Sequence, residues 1–160
     1  MARRTEILAT MEWERGSKVI TLMHHRELRG DPPKPGEEAH LTTEDTEHVL
    51  MQILSTPADR PIDLILHTPG GLALAAEMIS TAVRWLPAKV TVIVPFYAMS
   101  GGTLIALAAD EILMESYSVL GPLDPQTGGW PAGALIHLSQ NKPAATIAAP
   151  MIPASLRSCA

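Results

Sequence analysis

Pro61-Ile62-Asp63-Leu64-Ile65-Leu66-His67 runs into Thr68-Pro69-Gly70-Gly71, and Lys89-Val90-Thr91-Val92-Ile93-Val94 leads through Pro95-Phe96-Tyr97 into Ala98-Met99-Ser100-Gly101-Gly102. Each stretch is a short apolar, β-branched run closed by a glycine pair, which predicts a buried strand and then a turn. Between them Leu72, Ala75, Ala76, Ile79, Ala82, Val83 and Leu86 recur at helical spacing. Gly102 to Ala109, after the second turn, predicts a helix buried on all sides. The unit strand–glycine turn–helix therefore occurs twice, with the glycine pairs 31 residues apart. Strand–helix–strand units of this length give parallel neighbours joined by a right-handed crossover. Both turns then fall at the carboxyl edge of one sheet, where open α/β sheets keep their sites.

Upstream, a helical pattern around residues 5–14 precedes a strand over 17–23, and Gly30-Asp31-Pro32-Pro33-Lys34-Pro35-Gly36 can form only a loop. A helix is predicted to start near Thr42 or Thr43, with Glu44, Asp45 and Glu47 in its first turns, and to stop by Pro57. Downstream, residues 111–115 and 118–120 read as short strands and 121–126 as a turn-rich segment. Pro131 to Gln140 is expected to be a helix with Pro131 in its first turn. Residues 1–143 form the expected single α/β domain, and 144–160, rich in Ala, Pro and Ser, an irregular tail.

The composition bounds the function. A chain of 160 residues with 46% hydrophobic and 18% charged residues suits one globular domain. A net charge of −5 and the absence of a basic run beyond Arg3-Arg4 speak against nucleic acid as a partner. No stretch is apolar over a length that would span a bilayer, although this composition allows a peripheral membrane contact. The single cysteine, Cys159, forms no internal disulfide, and the expected compartment is the reducing cytoplasm.

Ser100 is the candidate nucleophile. A serine where a strand meets a helix start presents its hydroxyl outward, beside backbone N–H groups left without helical acceptors. The competing reading is a helix N-cap. Gly70-Gly71 favours catalysis, because a turn beside Ser100 adds the Gly71 N–H to that of Gly101 as a pair of oxyanion donors. Ala98 stands where G-x-S-x-G requires glycine, so the α/β-hydrolase elbow is not matched.

Four ordered blocks carry a resemblance over about residues 16–143. They are His67-Thr68-Pro69-Gly70-Gly71, Ala98-Met99-Ser100-Gly101-Gly102-Thr103, Ala108-Ala109-Asp110-Glu111-Ile112 and Leu120-Gly121-Pro122-Leu123-Asp124-Pro125-Gln126. The chain resembles the Clp-fold serine proteases, in particular the serine dehydrogenase proteinase branch, relatives of signal peptide peptidase A. The resemblance implies a Clp-protease/crotonase-like spiral of β-β-α units, frequent homo-oligomerisation and no cofactor or metal. It carries the nucleophile to Ser100 and the oxyanion donor to Gly71, with Gly70 shaping the turn.

Two bases compete. Relatives of signal peptide peptidase A use a Ser-Lys dyad, and Lys142, 42 residues after Ser100, is the only lysine beyond Lys89. Burial would lower its pKa and free the amine to act as a base. His137 is the alternative, since imidazole needs little tuning. Asp124, between Leu123 and Pro125, suits a rigid turn better than a triad acid, and His67 stands to help shape the cleft. His24 and His25, adjacent on a strand, face opposite sides and do not share a metal. The leading expectation is an ATP-independent serine peptidase acting on unfolded or membrane-derived peptides. A non-catalytic scaffold of the same fold is the alternative, and a crotonase-like acyl-CoA enzyme ranks last because such enzymes need no serine at this position.

Overall fold

The structure is a computed structural model and describes residues 2–24, 40–124, 126–127, 130–131 and 136. The chain divides into two compact units, 1–123 and 124–160. The first unit contains, in order, α1 (Ala2–Arg15), β1 (Lys18–Met23), α2 (Thr43–Leu54), β2 (Ile62–His67), α3 (Ala73–Arg84), β3 (Val90–Val94), β4 (Tyr97–Ala98), α4 (Gly101–Leu107), β5 (Glu111–Met114) and β6 (Val119–Leu120). In the second, β7 (Gln126–Thr127) pairs antiparallel with β8 (Trp130–Pro131).

The central sheet has the order β1-β2-β3-β5, and every pairing is parallel, as the repeated unit predicts. Strand alternation gives its two faces different work. Ile20, Leu64 and Val92 share one row, and with Leu22, Leu66 and Val94 they form the buried core. Val49 and Ile53 of α2, Ile79 and Val83 of α3, and Ile105 of α4 close over that face. The opposite row holds Val19, Asp63, Thr91 and Glu111. There Arg15, at the end of α1, grips Asp63 with two guanidinium nitrogens, and the Ser17 hydroxyl donates to the same carboxylate. The helix α2 starts where expected: the Thr42 hydroxyl accepts the Asp45 N–H, and Asp45 accepts the Thr42 N–H, a reciprocal capping box.

Three expectations need correction. The strand after Lys89 does not run on to Ser100. It breaks at Pro95-Phe96, where proline has no N–H for a ladder, and β4 restarts in a separate parallel pair with β6. The helix α4 is not buried all round, because Leu107 is 58% exposed while Ile105 and Ala106 are buried. Pro131 lies not in a first helical turn but in β8 opposite Gln126; proline is as compatible with an edge strand as with a first helical turn. The boundary expected between 143 and 144 falls outside the described residues.

Candidate active site

The site grows from the carboxyl end of β2. Leu41, ahead of α2, bridges to the glycine turn in parallel fashion: its N–H donates to the Gly70 carbonyl (2.8 Å) and its carbonyl accepts the Leu72 N–H (2.9 Å). These two bonds flank Gly71, so strand alternation turns the Gly71 N–H to the side away from Leu41. No side chain fits at Gly71, because a β-carbon would collide with the Leu41 backbone. Gly71 itself is exposed.

The second turn faces the first. Ser100 precedes α4 with φ 49° and ψ −114°, and it is the single non-glycine residue with positive φ among those described. Its side chain makes no capping hydrogen bond. The N-cap reading of Ser100 is therefore unsupported, and a conformation costing about 1–3 kcal/mol is held without the usual return. Surrounding bonds impose it. The Thr68 N–H donates to the Tyr97 carbonyl (3.2 Å), the Met99 N–H to the Thr68 carbonyl (2.9 Å) and the Gly102 N–H to the Met99 carbonyl (2.8 Å). On the other side the Gly121 N–H and the Thr103 hydroxyl both reach the Ala98 carbonyl.

Glycine lets the turns approach. A β-carbon on Gly70 would stand 3.2 Å from the Gly101 nitrogen, and one on Gly101 would be 4.0 Å from the Gly71 nitrogen. Neither the Gly71 nor the Gly101 N–H donates to a backbone carbonyl among the described residues. Ser100 is partly exposed. The arrangement brings a partly exposed serine beside two glycine N–H groups.

The other sequence-derived candidates are distributed differently. Lys142 and His137 lie outside the described residues, as does His25. Asp124 is exposed. His67 is buried with its ring against Tyr97 (centroids 4.2 Å apart) and Phe96 (5.8 Å). His24, just past β1, is engaged on both ring nitrogens: Nδ1 with the Thr68 hydroxyl at 2.9 Å and Nε2 with Asp45 Oδ2 at 3.3 Å. Burial works to raise the Asp45 carboxyl pKa, but hydrogen bonds from Thr42 and then from His24 outweigh it and hold the group below its ordinary range.

Thr68 and Asp45 escape a reading by sequence. A threonine ending a strand and an aspartate in a first helical turn each have an ordinary local explanation, and only their meeting through His24 marks them. No helix among the described residues is long and apolar enough to cross a membrane.

A mutant ClpP1 from Listeria monocytogenes shares 20% identity with this chain at a TM-score of 0.46, covering 62% of this chain and 51% of that one. Two uncharacterised proteins of Methanocaldococcus jannaschii are similar in sequence. One is 50% identical over 139 residues, covering 87% of this chain, and the other 48% identical over 140 residues, covering 88%. The chain spans 48% of the length of each. The family described as ClpP-like SDH-type serine proteinase matches residues 1–152, nearly the whole chain. With a parallel α/β core, facing glycine turns and a serine between them, the chain belongs to the ClpP-like SDH-type serine proteinases.

Proposed function

We propose that this chain forms the catalytic core of a serine peptidase with Ser100 as nucleophile. The observation that carries the reading is the backbone of Ser100: strained, uncapped and facing the Gly70-Gly71 turn. In the reaction, Ser100 Oγ attacks the peptide carbonyl as a base accepts its proton. The carbonyl oxygen becomes an oxyanion that the N–H groups of Gly71 and Gly101 stabilise, Gly70 setting the turn. Collapse expels the amine, which takes the proton back from the base, and water then releases the acyl group from Ser100 by the same steps in reverse order of roles. Lys142 is the proposed base, in a Ser-Lys dyad, and His137 is its alternative.

The proposed substrates are unfolded or membrane-derived peptides. Leu72, Leu74 and Met78, exposed just beyond Gly71, offer an apolar surface for an extended chain. We place the working form in a homo-oligomer, as the family resemblance implies.

A fluorophosphonate probe tests the reading. Wild-type protein should be labelled at Ser100, and Ser100→Ala should abolish labelling. Folded wild-type protein that resists the probe would favour the non-catalytic scaffold instead. Comparing Lys142→Ala with His137→Ala then assigns the base: the substitution that leaves labelling intact removes its residue from the role.

A further inference from the structure

Three residues distant in sequence form a chain of hydrogen bonds, buried at Thr68 and His24, that ends on the glycine turn. The Gly70 N–H donates to Thr68 Oγ1 at 3.1 Å. Thr68 Oγ1 lies 2.9 Å from His24 Nδ1, and His24 Nε2 lies 3.3 Å from Asp45 Oδ2. The same Asp45 oxygen accepts the Thr42 N–H and hydroxyl, both at 2.8 Å, and is thereby anchored to the start of α2. Thr68 is wholly buried and His24 nearly so.

Donor counting fixes the Asp45 end of the chain. Asp45, as a carboxylate, only accepts, so His24 Nε2 carries a proton. Thr68 Oγ1 accepts from Gly70 and shares a hydrogen bond with His24 Nδ1, in which donor and acceptor follow the imidazole tautomer. The bonds join Gly70 through Thr68 and His24 to Asp45 in one connected chain. Although Thr, His and Asp in this order resemble a nucleophile with its base and orienter, Thr68 has no exposed surface to offer a substrate.

What the chain does reach is the site's geometry. Thr68 is bonded to both turns: its hydroxyl fixes Gly70, while its carbonyl holds the N–H of Met99, the residue before Ser100. We infer that His24 and Asp45 are positioning residues that, through Thr68, lock the Gly70-Gly71 turn in register with Ser100. This rests on the peptidase reading above for its catalytic consequence, but not for the lock itself. The Gly71 donor faces a reacting oxygen only while Gly70 keeps its left-handed φ of 91°, and the Thr68–Gly70 bond closes that turn. Small displacements of an oxyanion donor are costly.

The test uses two readouts on the full chain: amide exchange across residues 68–72, and the second-order rate of fluorophosphonate labelling at Ser100. Thr68→Val keeps the shape and removes the hydroxyl, Thr68→Ser restores it, and His24→Ala cuts the link further back. Asp45→Asn offers a milder break should Thr68→Val fail to fold. The expected result is exchange at Gly70 faster by about tenfold or more in the Val and Ala proteins. Labelling should slow by about tenfold in both, with probe affinity little changed. Thr68→Ser should recover both, and a Val–Ala double variant should be no worse than either single one. Unchanged Gly70 exchange in Thr68→Val and His24→Ala would overturn the lock, whatever the labelling shows. Faster exchange with undiminished labelling would overturn its role at Ser100. Wild-type protein that stays unlabelled while Gly70 exchange responds would sink the peptidase reading and leave the lock standing.

Discussion

Gly70 lies so close to Ser100 that a β-carbon on it would stand 2.9 Å from the Ser100 β-carbon and 2.7 Å from the Met99 carbonyl oxygen. Neither neighbour is free to retreat. The Met99 N–H is tied to Thr68, and its carbonyl accepts the Gly102 N–H. A side chain at Gly70 also opposes the φ of 91°. Gly70→Ala should therefore cost about 2 kcal/mol or more, from torsion and overpacking together. A urea midpoint within error of wild type would contradict the close approach.

Ser100 predicts an inversion of the usual rule for glycine. At φ 49° and ψ −114° a β-carbon is strained, so Ser100→Gly should relieve the backbone where Ser100→Ala keeps the strain. The Gly protein is expected to be the more stable of the two by about 1 kcal/mol. Both should be dead to the probe. Thermal unfolding decides the matter, and an Ala variant as stable as the Gly variant would argue against stored strain.

The Thr103 hydroxyl lies 2.8 Å from the Ala98 carbonyl and 2.7 Å from that of Gly121, bracing β4 just before Ser100. It is buried and has one proton to donate, so Thr103→Val removes one donor from this pair of carbonyls, the Ala98 oxygen keeping the Gly121 N–H. The expected cost is about 1–2 kcal/mol. Chemical denaturation measures it, and a neutral result would mean that the Gly121 carbonyl finds another donor.

At the opposite edge of the sheet, Asp63 sets part of the acid response. Burial works to raise its pKa, but hydrogen bonds from Arg15 and Ser17, with the charges of Arg15 and Lys89, outweigh it and hold the carboxyl below its ordinary range. A carboxylate depressed in the folded state adds stability above its unfolded pKa of about 4. That stability is lost as the pH falls through the lower folded value. Asp63→Asn should be less stable than wild type at neutral pH, and the gap should narrow toward pH 2. A gap that does not change with pH would place the cost in packing alone.

Much of this was legible from the sequence because it is written locally. Apolar, β-branched runs mark β2 and β3, the acidic residues after Thr42 and Thr43 mark the start of α2, and the strand–helix–strand spacing implies the parallel β2–β3 pair, whereas the Ser100 turn follows β4 in a separate sheet. Where a residue fits two local states, sequence alone does not choose between them. Pro131 suits a first helical turn as well as the edge strand it occupies, and Pro95-Phe96 conceals a change of sheet within one apolar run.

The sequence by itself determined the strand–turn–helix repeat, the glycine pairs and Ser100 as the residue to examine, since each depends on neighbours within a few positions. Only the tertiary structure decided that Ser100 is strained rather than capping, and that Leu41 clamps the turn holding Gly71. It alone joined His24, Asp45 and Thr68. Hydrogen bonds between residues more than twenty positions apart leave no periodicity behind them. They exist only where packing brings three separate elements to the same sheet edge.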